Sequence, residues 1–102
     1  MSEKPLFIPL KTEYYEAFES GSKSRELRRG SDKRWSEKNC RIGRHVTLSK
    51  GYGKAHRISG VVTGYERKLA ALLPSNDYDA FRACFGLGEE FASVIHIDID
   101  RN

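Results

Sequence analysis

The sequence predicts an α+β fold: a small mixed β-barrel of about five or six strands flanked by two or three helices. Three observations lead there. Several short segments alternate apolar and polar residues with the period of a strand, and glycines recur within or between them where a barrel turns its corners. Two further segments, one early and one late, carry apolar residues at helical spacing between capping and stop signals. At 102 residues the chain, residues 1–102, is read as a single domain with a modest core.

The run from Leu6 to Leu10 is apolar, and Pro9 within it cannot donate to a ladder, so it is assigned to a first or edge strand. Thr12 is placed to cap a helix from Glu13 to Ser20, with Glu16 near the N3 position and Gly21 ending the helix in the left-handed conformation. Tyr14, Ala17 and Phe18 form the apolar stripe of that helix, Tyr15 extends it, and these aromatics are read as core. From Arg25 an extended chain puts Glu26 and Arg28 on one face and Leu27 toward the core, with Lys23 in the turn beside them. Gly30 to Lys38 is polar and loop-like. It holds the single tryptophan, Trp35, which is read as a plug for one end of the barrel in preference to a stacking surface for a base.

Gly43 turns the chain into a half-buried strand in which Val46 and Leu48 alternate with Thr47 and Ser49. The segment from Gly51 to His56 is a turn, too short for a P-loop and without its Lys-Ser/Thr ending. Arg57 to Glu66 is a strand interrupted by Gly60 and Gly64, which mark bulges or corners. Lys68 to Leu73 is expected as a short helical turn ending at Pro74. Ser75 or Asn76 then caps a second helix to about Phe85, with Tyr78, Phe81, Arg82 and Phe85 on one face and Gly86 and Gly88 beyond it. Ser93 to Arg101 is the last strand, with Ile95, Ile97 and Ile99 inward and His96, Asp98 and Asp100 outward.

Composition limits the function classes. Hydrophobic residues at 38% and charged residues at 31% describe an ordinary globular chain. No apolar run approaches the roughly 18 to 20 residues of a membrane span. The segment from Met1 to Leu6 has an acid where a signal peptide needs a basic flank, so a cytoplasmic protein without membrane contact is expected. Two cysteines, Cys40 and Cys84, cannot form a disulfide framework and are expected as thiols, Cys84 as a small buried hydrophobe near Phe81 and Phe85. Cys40, His45, His56 and Cys84 lack the paired spacing of a zinc site, and neither metal nor cofactor is expected.

The net charge of +4 is unevenly distributed. Between Ser22 and Arg57 there are twelve Lys or Arg against three acids, a local +9, while the remainder carries −5. Such polarisation attracts a polyanion to one side and points to nucleic acid as partner, or to an acidic protein surface.

The basic segment opens with Gly21-x-Lys23-x-x-Glu26-x-Arg28, where an ammonium, a carboxylate and a guanidinium are gathered as the chain leaves a helix for a strand. All four positions match the GxKxxExR signature, and on them the chain resembles the ASCH domain family, in its small stand-alone bacterial or phage form. The order of strands and helices over the whole chain fits the same resemblance. It implies a PUA-like β-barrel, with the signature loop over a cleft between barrel and helices, and an association with RNA and modified nucleotides.

Two chemistries follow for these residues. As a binding site for single-stranded RNA or a nucleotide-like ligand, Lys23, Arg25, Arg28 and Arg29, with Arg44, Tyr52, Lys54 and Arg57 further on, supply cations for phosphate and a flat face for an unpaired base, while Glu26 orients Arg28 or accepts from a base or ribose. As an alternative, a metal-independent ribonuclease would use Lys23 and Glu26 as catalytic groups, with a tyrosine or histidine as acid; Tyr52 and His56 are near in sequence, whereas His45 and His96 are read as structural. The resemblance also includes amidohydrolases of acylated cytidines, which use a lysine and a threonine in this loop plus a later glutamate. This chain has Glu26 where that threonine would be, which makes that activity the less expected one, and Asp77, Asp79, Glu89 and Glu90 are all open as the later carboxylate. A protein-interaction module docking its basic face on an acidic surface is the third reading.

Overall fold

The computed structural model describes residues 3–100. Met1, Ser2, Arg101 and Asn102 lie outside the described residues, and with them the end of the strand expected to reach Arg101. Strands β1 (Leu6–Leu10), β2 (Arg25–Arg29), β3 (His45–Lys50), β4 (Arg57–Leu69) and β5 (Phe91–Ile99) form one sheet in the order β1-β3-β4-β5-β2. β1 runs parallel to β3 and the other neighbours are antiparallel, so the sheet is mixed, and it curls into a half-barrel with β1 and β2 as its two edges. Helix α1 (Thr12–Ser20) links the two edge strands, and α2 (Ser75–Phe85) precedes β5.

Two cores result. Inside the half-barrel, Ile8 and Leu10 of β1 meet Val46, Leu48, Val62, Ile95 and Ile97, and α1 adds Tyr15 and Phe18. A smaller core lies on the outer face of β2 and β5, where Leu27, Ala92 and Val94 are covered by Phe81 of α2 and by Ala70 and Leu73. Full burial of a phenylalanine such as Phe18 or Phe81 stabilises by roughly 1.5 to 3 kcal/mol, so each helix is held mainly by one or two such residues. β5 is therefore covered on both faces over its first half. The inward Ile95 and Ile97 are as expected, but Ala92 and Val94 before them are buried too.

Trp35, 4% exposed, plugs one end of the half-barrel from a 3-10 turn at Lys33–Trp35. Its carbonyl accepts bonds of 2.7 Å from both Tyr65 Oη and the buried Ser93 Oγ, which ties the plug to β4 and β5.

Several boundaries differ from the sequence reading. Thr12 is the first helical residue, and Lys11 holds the cap position without a side-chain bond, its carbonyl receiving Tyr14 and Tyr15 N–H at 3.0 Å. Ser75 and Asn76 do not cap α2, because Pro74, whose ring fixes φ, is already at the cap position and receives Tyr78 N–H at 2.8 Å. β4 runs on to Leu69, since pairing with β5 continues to Leu69↔Phe91, so the short helical turn begins at Ala70 and not at Lys68. Of the two glycines expected to mark irregularities, Gly64 adjoins a register shift between Val62 and Gly64, whereas Gly60 pairs in regular register with Val46 and Ile99. Ser49 is buried rather than half-exposed, its hydroxyl donating to Gly53 O at 3.1 Å under the β3–β4 turn. Among the described residues no helix is long and apolar enough to cross a membrane.

Candidate functional site

The helix-to-strand turn sets the first group. Gly21 has φ 86°, a left-handed conformation that glycine adopts without a Cβ clash, and it closes α1 through Gly21 N–H to Phe18 O at 3.1 Å. Lys23 N–H returns to Ala17 O at 3.1 Å, and the Ser22 hydroxyl reaches the same carbonyl at 3.2 Å. The loop is thus bonded back onto the helix it leaves. Lys23 Nζ lies 4.8 Å from the Tyr14 ring centroid and 5.7 Å from that of Phe18.

β2 then places the carboxylate in an unexpected direction. Leu27 lies opposite Val94 and enters the smaller core, whereas Glu26 lies opposite Ile95 and so faces the half-barrel interior with Arg28. The sequence predicts Leu27 toward the core and the charges at the rim; because α2 covers the outer face of β2, both faces are buried and Glu26 is only 6% exposed. One carboxylate oxygen, Oε2, accepts from Arg28 Nε at 2.8 Å. The other, Oε1, stands 3.7 Å from Lys23 Nζ, beyond hydrogen-bond reach, so donor and acceptor face each other with capacity to spare. Arg28 also donates through Nη2 to Pro9 O at 2.6 Å and lies 4.7 Å from the Trp35 ring centroid. Arg25, on the other face, donates from Nε to Asp77 Oδ2 at 2.9 Å and fastens β2 to α2.

These groups line a pocket of about 310 Å³ at the gap between the sheet edges, bounded by α1 and α2. Lys23, Glu26, Arg28 and Asp77 bring polar atoms, and Pro9 and Phe81 are among its apolar walls. Two further lining residues, Tyr14 and Cys84, face each other across the helices with Oη to Sγ at 4.0 Å. Burial first, and then the neighbouring Cys84, push the Tyr14 hydroxyl above its ordinary range, which keeps it a proton carrier at neutral pH. Cys84 is exposed, not buried as expected: with Phe81 turned into the core, a residue three positions on falls on the flank toward pocket and solvent. The sequence reads Tyr14 and Cys84 as core, and nothing in the spacing of the helix stripes marks them as site residues.

The candidates read from sequence are not all gathered here. Lys23, Glu26 and Arg28 come together, and of the later carboxylates Asp77 alone is at the pocket wall. The lining carries Lys11, Lys23 and Arg28 against Glu26 and Asp77, so the basic excess of the segment is spread over the surface and not concentrated in this pocket. Arg29 is exposed with its guanidinium 5.5 Å from the Phe85 ring. Arg44 is occupied in tying the N-terminal segment to the loop before β3, donating to Lys4 O at 3.2 Å and to Asn39 O at 2.7 Å. Tyr52, Lys54 and Arg57 lie together at the β3–β4 turn, as does His56, while His96 bonds Glu66 at 3.0 Å on the outer face.

No family model matches the sequence, and no curated protein matches it. Among solved structures, the fold is similar to that of a mutant of ZmASCH from Zymomonas mobilis, with a TM-score of 0.62 and 16% identity over 89% of this chain and 66% of that one. The chain thus spans about two thirds of the length of that protein. A likeness at this identity speaks for the fold: the chain has the ASCH-type fold, an α+β, PUA-like half-barrel.

Proposed function

We propose that the protein binds a nucleotide-like unit, free or as part of single-stranded RNA, in the pocket under the Gly21–Arg28 loop. The observation that carries this reading is the pair of Lys23 Nζ and Glu26 Oε1, 3.7 Å apart and unbonded, at the wall of a pocket with apolar sides. The edge of a nucleobase presents an acceptor beside a donor, and a cation beside a carboxylate is the complement of that edge. A pocket near 300 Å³ is at the lower end of small-ligand sites and suits one base or nucleoside better than a longer segment. Arg28 is already committed to Glu26 and Pro9, so it orients the carboxylate and leaves recognition to Lys23 and Glu26.

The test is a titration of nucleoside monophosphates and of a short single-stranded RNA against wild type and Lys23→Ala. Lys23 is 22% exposed at the side chain and stands beyond hydrogen-bond reach of Glu26, so its truncation is expected to leave the fold intact. An affinity at least tenfold weaker in the variant, with an unchanged thermal midpoint, supports the reading; equal affinity in both proteins sinks it.

A ribonuclease reading draws on one further observation: Tyr14 brings a protonated hydroxyl to the same pocket. Glu26 would then take the proton of a 2′-hydroxyl, Lys23 would meet the developing charge on phosphate, and Tyr14 would protonate the leaving oxygen. Electrophoresis of the RNA after incubation separates the two readings, since a binder leaves it whole.

A further inference from the structure

We infer that the outer face of β1 beside the pocket carries a second nucleotide subsite built on Tyr52, Phe7 and Arg57, so that the ligand is a single-stranded segment and not only a mononucleotide. The inference rests on the pocket reading above and extends it.

β1 alternates, with Ile8 and Leu10 buried inside the half-barrel, which puts Phe7 and Pro9 on the outer face. Pro9 is part of the pocket wall, and Phe7 lies two residues before it, about 7 Å along the strand. The β3–β4 turn folds over this face and is pinned at several points. Gly51 N–H donates to Leu10 O at 2.9 Å, and Gly51 itself has φ 69°, a conformation suited to glycine. Ser49 Oγ and Arg57 Nε both donate to Gly53 O, at 3.1 and 3.3 Å.

The pinned turn holds Tyr52 out in solvent, 80% exposed, with its ring centroid 6.1 Å from that of Phe7. Arg57 lies 5.2 Å from the same Phe7 ring, and Lys54 is exposed in the turn. A tyrosine so exposed contributes almost nothing to the core, yet it offers a flat apolar face on a turn already ordered, and cations stand beside it. That is the composition of a stacking platform for an unpaired base, with Arg57 and Lys54 available to the phosphate that joins this base to the one in the pocket. Stacking is tolerant of base identity, so the platform would add affinity and leave base choice to the pocket.

The experiment measures binding of a nucleoside monophosphate and of a labelled short single-stranded RNA to wild type, Tyr52→Ala, Tyr52→Phe and Lys23→Ala. Tyr52→Ala is expected to weaken RNA binding about tenfold, leave mononucleotide binding unchanged, and be rescued by Tyr52→Phe, which keeps the ring. RNA affinity unchanged in Tyr52→Ala, with mononucleotide binding intact, overturns the platform and leaves the pocket standing. RNA binding that depends on Tyr52 but not on Lys23 sinks the pocket reading and keeps the platform. Wild type that binds neither ligand overturns both.

Discussion

Arg28 donates to the carbonyl of Pro9 at 2.6 Å, a bond between the two edge strands of a sheet that does not otherwise close. The same guanidinium holds Glu26, so one side chain spans the seam and anchors the carboxylate of the site. Arg28→Ala removes both bonds and leaves the buried Glu26 with only Lys23, 3.7 Å away and beyond hydrogen-bond reach, as a counter-charge, which is expected to lower stability by about 2 to 4 kcal/mol in urea unfolding. Adding Glu26→Gln should recover part of that loss, because the buried charge that has lost its hydrogen-bonded partner is gone. Equal stability of Arg28→Ala and wild type would mean that the seam holds without this contact. A loss of ligand binding in Arg28→Ala is therefore not evidence of ligand contact, and Lys23 is the better probe.

Gly60 of β4 lies opposite Ile99 of β5, with no room between the two strands for a side chain. A Cβ there would stand 2.8 Å from Asp98 O and 3.2 Å from the Ile99 Cα, atoms of a neighbouring strand that cannot swing aside. Gly60→Ala is expected to destabilise by about 1 to 3 kcal/mol, whereas Gly88→Ala, where nothing lies within 4 Å, should change stability little. Thermal unfolding of the two variants side by side makes the comparison, and equal midpoints would contradict the close approach.

These two positions illustrate what the sequence makes legible. Gly60 and Gly64 stand out inside an alternating strand, and Gly21 stands out after a helical stripe, because a residue without a side chain is an anomaly against a periodic background. Trp35 could be placed as a plug on similar grounds, as a large ring isolated in a polar loop. The direction of Glu26 is not legible in this way. A strand with charges on one face and Leu27 on the other reads as half-exposed, and only the packing of α2 on that second face makes both sides interior. Cys84 fails for a related reason: its neighbours Phe81 and Phe85 are apolar, but the helix turns it toward the gap between α1 and α2, which depends on how two elements distant in sequence meet. Residue identity thus announces the groups of the site, while the tertiary arrangement decides which of them meet.

Cys40 makes stability depend on alkaline pH. Burial pushes its thiol up to about 11 from an ordinary value of 9.0, against a smaller pull from Arg44. The folded protein therefore keeps the proton over a range in which the unfolded chain has lost it. A raised folded value means a contribution fully present below pH 9 that is lost as pH rises toward 11, amounting to roughly 2 to 3 kcal/mol. Tyr14 and Tyr15, both raised by burial, act in the same direction at higher pH. Urea midpoints taken at pH 8 and pH 10.5 should fall for wild type and fall distinctly less for Cys40→Ala; parallel declines would assign the effect to the tyrosines.

The two thiols should also separate chemically, and one of them reports on the pocket. The thiolate is the reactive form, and Cys40 is both fully buried and held protonated, so at pH 8 it is expected to react only as fast as the protein unfolds. Cys84 is exposed at the pocket wall beside Tyr14, within reach of a small reagent. Labelling of the native protein with a maleimide or an aromatic disulfide should therefore give one fast equivalent, and a second only on adding denaturant. Cys84→Ser should abolish the fast phase. A ligand seated among Lys23, Glu26 and Arg28 lies in the same pocket and should slow that phase in proportion to occupancy, whereas RNA held at the Tyr52 turn alone should leave it unchanged. The rate of Cys84 modification, followed against added nucleotide, thus reads out pocket filling without any change to the residues that would bind.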